Sequence, residues 1–214
     1  MIYLSGAVKD ELLELNHPRI GAMFQPRSYG MATVDRWPIF AADSGGYNNR
    51  FQPTTWLRFV DKIAMRGERC LFACVPDHFD PHDLDHNFER TQYLWFQWKD
   101  AVIDRGLPPA WVAQNGATPD DIPADADAVF IAGDTEWKLS ERAWAIVAAA
   151  KARSRWVHMG RVNGLPRFRA GAISCVDSAD GNVLKYGYHA NLPRLLMWLN
   201  ATETPHLSLF GRSA

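Results

Sequence analysis

The sequence predicts a compact (β/α)8 TIM-like barrel with reduced helices, and three observations carry that expectation. Eight short apolar runs recur along the chain, helix-patterned segments separate them, and several runs end on a polar residue or a glycine. The strand candidates are residues 2–4, 20–24, 39–42, 70–75, 111–113, 128–132, 156–159 and 172–176. Between them, 10–15 and 54–66 read as helices, the second stopped by Gly67, and 84–105 is a long helix followed by Gly106. Pro119 after Thr118 marks a short helical turn. Ser140 suits the cap of an Ala-rich helix over 141–153, whose basic last turn complements the helix dipole. Asn191 is the candidate cap of a last helix over 193–199. A doubly wound open sheet is the competing architecture. At 214 residues the chain is near the minimum for a full barrel, so some helices must be short or missing. No repeat, low-complexity stretch or linker divides it, and one domain over 1–214 is expected.

Composition narrows the function classes. The chain is 47% hydrophobic and 22% charged, as an ordinary folded globule is. The net charge of −1 excludes a protein that coats nucleic acid, so any such partner must meet a local basic face. Three cysteines are too few for a disulfide framework, and a reducing compartment is expected. The first residues lack a signal-peptide pattern and no run approaches the roughly 18 apolar residues of a membrane span, which points to the cytoplasm. Nine Trp supply either packing or platforms for flat ligands.

In such barrels, chemistry sits at the C-terminal ends of the strands. The candidate strand-end residues are Asp43, Asp77, Gln114, Gly133 and Asp177. Asp43 opens Asp43-Ser44-Gly45-Gly46-Tyr47, where paired glycines let backbone approach a ligand; the alternative is a plain turn. The string from Cys175 to Gly181 offers Asp177 and Asp180. Carboxylates on different strands can divide nucleophile and general-acid work at a glycosidic carbon, whereas Asp180-Gly181 alone is a turn signal. Asp77, Gln114 and Gly133 together match the hydrogen-bonding edge of a guanine, although each alone is more often structural. The segment 76–86 carries His78, His82 and His86 among four aspartates. Such density can bind a metal, but Pro81 interrupts the spacing and a polar loop is the commoner outcome.

With these strings in place, the chain resembles the tRNA-guanine transglycosylase superfamily, and within it the short DpdA-type DNA transglycosylases of phages. The strings ADSGGY, VPD, WVAQNGA, FIAGDTEWKL, WVHMGRVNG and CVDSADG carry the resemblance, which spans about residues 35–181. It implies a base-exchange enzyme that replaces guanine in DNA with a 7-deazaguanine such as 7-cyano-7-deazaguanine (preQ0), without a cofactor or resident metal. It implies Asp43 as general acid/base and Asp180 as nucleophile, with Asp177 as the alternate register. Asp77 would take the amidine edge of the base, Gln114 and Gly133 its carbonyl, and Ser44, Gly45 and Gly46 the loop around base and sugar. The tRNA enzymes carry a zinc subdomain of clustered Cys with His. No Cys follows Cys175 here, so that subdomain is expected to be lacking, and DNA is favoured over tRNA. Tyr47, Phe79 or Trp137 could stack on an unstacked base, with core packing an equal alternative. Arg155, Arg161, Arg167, Arg169, Lys185 and Arg194 are candidates for DNA phosphates, with Lys138 and Arg50 as further ones; a solvated face is the competing outcome.

Overall fold

The computed structural model describes residues 1–28, 30–46 and 51–202. Eight parallel strands close into a barrel in sequence order, β1 pairing with β8. The strands are β1 (Ile2–Ser5), β2 (Ile20–Phe24), β3 (Phe40–Ala42), β4 (Cys70–Cys74), β5 (Pro109–Ala113), β6 (Ala128–Ile131), β7 (Trp156–Met159) and β8 (Ser178–Gly181). The helices are α1 (Asp10–Glu14), α2 (Met31–Asp35), α3 (Pro53–Ala64), α4 (Leu84–Ile103), α5 (Thr135–Lys138), α6 (Glu141–Ala152), α7 (Leu165–Ile173) and α8 (Tyr188–Ala201). The (β/α)8 expectation holds, and so does the reduction of helices: α1 and α2 have 5 residues each and α5 has 4.

A strand buried on both faces reads as a continuous apolar run, which is why most strands are visible in the sequence. Side chains alternate between two cores. Leu4, Met23, Ala41, Phe72, Cys74, Ala110, Val112 and Ala128 fill the barrel interior. Their neighbours, such as Tyr3, Phe24, Phe40, Trp111, Val129 and Ala179, face outward onto the helices. Trp37, Trp56, Trp95 and Trp111 are fully buried, so these four indoles are packing and not ligand platforms.

Helix ends follow local chemistry. Pro53 starts α3, Ser140 Oγ accepts from the Ala143 N–H at the start of α6, and Gly106 takes a left-handed φ of 68° after α4. The Thr118 turn is a short 3-10 segment with a reciprocal Thr118–Asp121 cap.

Two expectations require correction. Residues 172–176 are not a strand. The apolar stretch ends α7, which buries Phe168 and Gly171 and leaves Ile173 exposed. Cys175 then turns at φ 61°, and the strand is the next segment, Ser178–Gly181. Its polar sequence pairs with β1 and β7 because its inward side chains belong to the barrel mouth and only Ala179 packs outward. Asn191 lies inside α8, which begins after Gly187. Asn191 Nδ2 donates to the carbonyls of Val183 and Tyr186, tying the preceding loop to the helix instead of capping it.

Candidate active site

The C-terminal ends of the strands gather a connected polar group. Asp43 follows β3 directly and its carboxyl takes a 2.5 Å hydrogen bond from Gln25 Nε2, just beyond β2, and a 3.3 Å bond from the Gly45 N–H. Ser44 Oγ donates to Asp77 Oδ1 at 2.9 Å and accepts from the Gly46 N–H at 3.1 Å. Gly46 is needed for space: a Cβ there would come within 2.7 Å of the Asp77 carbonyl oxygen. Gln114, one residue past β5, donates to Asp77 Oδ2 and to the His78 carbonyl, each at 3.2 Å, and accepts from the Gly133 N–H at 2.9 Å. Gly133 sits at φ 60°, with Asn115 Oδ1 and the Trp137 ring both 2.6 Å from any added Cβ. The structure thus brings Asp43, Ser44, Gly45, Gly46, Asp77, Gln114 and Gly133 to one end of the barrel.

Asp180 joins them from β8. Inward parity is set by Ser178, so Asp180 points into the barrel mouth. Its Oδ1 lies 3.1 Å from His158 Nε2 and accepts from the Arg161 N–H, also at 3.1 Å. The carboxylate opens onto a cavity of about 260 Å³ lined also by Gly6, Met23, Gln25, Ser28, Asn182 and Lys185. A second cavity, about 280 Å³, lies on the other side of Gln25 against Ser44, Gly45, Arg27 and Trp56. Asp177 has the opposite parity and precedes the strand, at the N-terminal end of the barrel. There it is bound by Lys151 Nζ at 2.7 Å and by the Val157 N–H at 2.7 Å. Asp177 therefore does not reach the mouth where the other candidate residues gather.

Burial dominates the electrostatics of the mouth. Burial raises Asp43 above the usual carboxylate range, and the charge of Asp180 adds to that. The Gln25 and Gly45 hydrogen bonds oppose the rise. Burial, reinforced by the Asp43 charge, pushes Asp77 up to about 6 against the Ser44 hydrogen bond. Burial also pushes Lys138 down to about 8, helped by Arg161 and opposed by Asp180.

The expected phosphate ligands disperse. Arg155 sits at the opposite end of the barrel, bonded to Asp127 and to the Ala124 carbonyl, because it precedes β7. Lys138 is buried and donates to the Gly160 carbonyl at 2.8 Å, so it is not a phosphate contact. Arg161 Nη2 donates to the Gly133 carbonyl at 2.8 Å, with its guanidinium 4.8 Å above the Phe79 ring centroid. Arg167 donates to the Arg161 carbonyl, and Arg194 to Asn191 Oδ1. Arg169 is exposed on α7 and Lys185 is exposed at the cavity rim. Trp137 is buried beside Gly133. Tyr47 and Arg50 lie outside the described residues.

The histidine-rich loop uses its groups locally: His86 Nδ1 pairs with Asp83 at 2.5 Å, and His78 Nε2 lies 3.1 Å from Arg90 Nη1. Among the described residues no three His, Cys, Asp or Glu side chains converge as a metal site would require. No helix of the described residues is long and apolar enough to cross a membrane.

Sequence reasoning missed Gln25 and His158. Gln25 follows β2 directly, so the strand-end rule that marked Asp43 marks it too. His158 shares inward parity with Trp156, and no local signal in the 156–159 run marked which alternate positions face inward.

Among solved structures, the chain is similar to one described as a native KDPGal structure, with a TM-score of 0.52 and 13% identity over 94% of each chain. The tryptophan synthase α-subunit of Pyrococcus furiosus aligns with a TM-score of 0.44 and 8% identity, over 92% of this chain and 94% of that one. The first likeness establishes the barrel fold and nothing finer. No protein-family model matches the chain, and no curated protein matches it.

Proposed function

We propose that this chain is a base-exchange enzyme that replaces guanine in DNA with a 7-deazaguanine such as preQ0 through a covalent aspartyl–glycosyl intermediate. The observation that carries the reading is a pair of carboxyls in different environments at one barrel mouth. Asp43 is raised by burial and bonded through Gln25, while Asp180 is held by donors and faces a cavity that Gln25 also lines; Asp77, Gln114 and Gly133 bond one another at the same end of the barrel. The resemblance of the motif strings to DNA transglycosylases supplies the substrate class.

In the first half-reaction an Asp180 oxygen bonds to C1′ of the target deoxyguanosine while the C1′–N9 bond breaks. The bonding pair leaves with guanine, and the carboxylic acid of Asp43 gives it a proton. In the second half, Asp43 carboxylate takes the N9 proton of the incoming 7-deazaguanine. That nitrogen attacks C1′ and frees Asp180. Asp77 accepts from the amidine edge of either base, with Gln114 and Gly133 at its carbonyl, so both bases use one site in turn. The target nucleotide must leave the stack, at a cost of a few kcal/mol.

The test is incubation of the protein with DNA and radiolabelled guanine or preQ0, with RNA and free deoxyguanosine as parallel substrates. Label entering DNA and lost in Asp180→Asn supports the reading. Label entering only RNA or nucleoside moves the substrate, and label in none of them overturns base exchange.

A further inference from the structure

We propose that His158 is the positioning residue of Asp180, held as its Nε2–H tautomer by a Trp156–Ser178 relay so that it fixes one carboxylate oxygen and leaves the other to react. The inference rests on Asp180 as the nucleophile of the proposed exchange.

The argument is a proton inventory. His158 is fully buried inside the barrel, its ring 4.5 Å from that of Phe130 and 5.0 Å from that of Phe72, so its plane is fixed by packing. Its Nδ1 lies 2.8 Å from Ser178 Oγ, and its Nε2 lies 3.1 Å from Asp180 Oδ1. Trp156 Nε1 donates to the same Ser178 Oγ at 2.8 Å. An indole nitrogen only donates, so it occupies an acceptor position on the hydroxyl and leaves the hydroxyl proton to be placed. The acceptor in reach is His158 Nδ1. With Nδ1 accepting, the neutral ring carries its proton on Nε2 and donates it to Asp180. The chain Trp156 → Ser178 → His158 → Asp180 then gives every proton one acceptor and every buried group a partner.

A second donor reaches the same oxygen. The Arg161 N–H binds Oδ1, and the carbonyl of that peptide, Gly160 O, accepts from Lys138 Nζ. The ammonium polarises the peptide and strengthens its N–H as a donor. None of the described hydrogen bonds ends on Oδ2. Oδ2 is therefore the oxygen that forms the bond to C1′, and Oδ1 becomes the carbonyl oxygen of the glycosyl ester. His158 and the Arg161 N–H still bind Oδ1 in that ester. They stabilise the charge that returns to the carboxylate when the incoming base displaces it, which makes Asp180 a better leaving group in the second half-reaction.

Two measurements test this on the full chain. The first is exchange kinetics. His158→Leu should lower kcat by about a hundredfold, the usual cost of one preorganised donor, and leave KM for the free base within about twofold. His158→Gln, which places an amide N–H near Nε2, should recover about tenfold of that loss. The second is the 1H–15N long-range spectrum of the free protein at neutral pH, which should show His158 neutral with its proton on Nε2. Trp156→Phe should abolish that single-tautomer signature. An imidazolium or an Nδ1–H ring in the wild-type protein overturns the proposal, as does an unchanged kcat in a folded His158→Leu. So does a loss that His158→Gln does not relieve. If the wild-type protein moves no base into any acceptor, the base-exchange reading fails by itself. The spectrum then still upholds or overturns the relay, because it needs no substrate.

Discussion

Asp177 and Asp180 are three residues apart in one short string, yet they belong to opposite ends of the barrel. Asp177 faces Lys151 and the Val157 N–H below β8, where both carboxylate oxygens are engaged. Asp180 faces the mouth, where one oxygen is bonded and a cavity lies in front of it. The first arrangement uses both oxygens to hold structure; the second leaves one oxygen facing a cavity. What separates them is position along β8, before its start for Asp177 and near its C-terminal end for Asp180, together with parity, which turns Asp180 inward and Asp177 outward.

The largest expected difference between these two ends is in the paired amides. Asp180→Asn should lower labelled-base incorporation by about a thousandfold or more while leaving the urea unfolding midpoint almost in place. Asp177→Asn should do the reverse. Incorporation stays within a few-fold, and stability falls by roughly 1–3 kcal/mol because Lys151 loses its partner. A variant of Asp177 that lost activity without losing stability would break the contrast.

A smaller effect separates the mouth from the rest by pH. Asp77 titrates near 6 in the folded protein, above its ordinary value of 3.8. A raised value means that its contribution to stability is fully present below about pH 4 and is lost as pH rises through about 6. Asp77→Asn should therefore unfold at higher denaturant than wild type at pH 7.5, by roughly 1–3 kcal/mol, with the gap closing by pH 4. In the proposed exchange base capture needs the carboxylate, so equilibrium binding of preQ0 should weaken in the opposite direction, as pH falls below about 6. Binding that is flat from pH 7.5 to 5 would remove Asp77 from the base edge.

The smallest effect concerns cations. Lys185→Ala at the cavity rim should weaken DNA binding a few-fold and lower its salt slope by about one, whereas Arg155→Ala should change neither. Equal effects of the two would show that nucleic acid does not approach the mouth preferentially.

Much of this was legible in the residues, for identifiable reasons. β1 to β7 are mostly apolar on both faces because a parallel barrel buries both, and the strand-end rule leads from them to Asp43, Asp77, Gln114 and Gly133. β8 was hidden because Ser178 and Asp180 turn polar side chains inward and Gly181 has none, which leaves only Ala179 to advertise a strand, while the apolar end of α7 imitated one. His158 was hidden for a related reason. Its neighbours Val157 and Met159 make the segment read as core, and only the closed barrel shows that the residue between them faces inward. Lys138 and Arg155 looked like surface cations. The burial of Lys138 depends on tertiary placement that local sequence does not encode, whereas the position of Arg155 just before the 156–159 strand already assigns it to the opposite end of the barrel.

The mutual bonding of Asp77, Gln114 and Gly133 has a consequence for discrimination. These groups already satisfy one another, with Gln114 bridging carboxyl to N–H. A guest that enters between them must return as many hydrogen bonds as it breaks, so correct entry is nearly an even trade. A guest with the wrong edge leaves buried groups orphaned, at about 1–3 kcal/mol each. In the proposed exchange, selectivity at this mouth would come from refusal more than attraction, and the site would release a spent base as readily as it admits a fresh one.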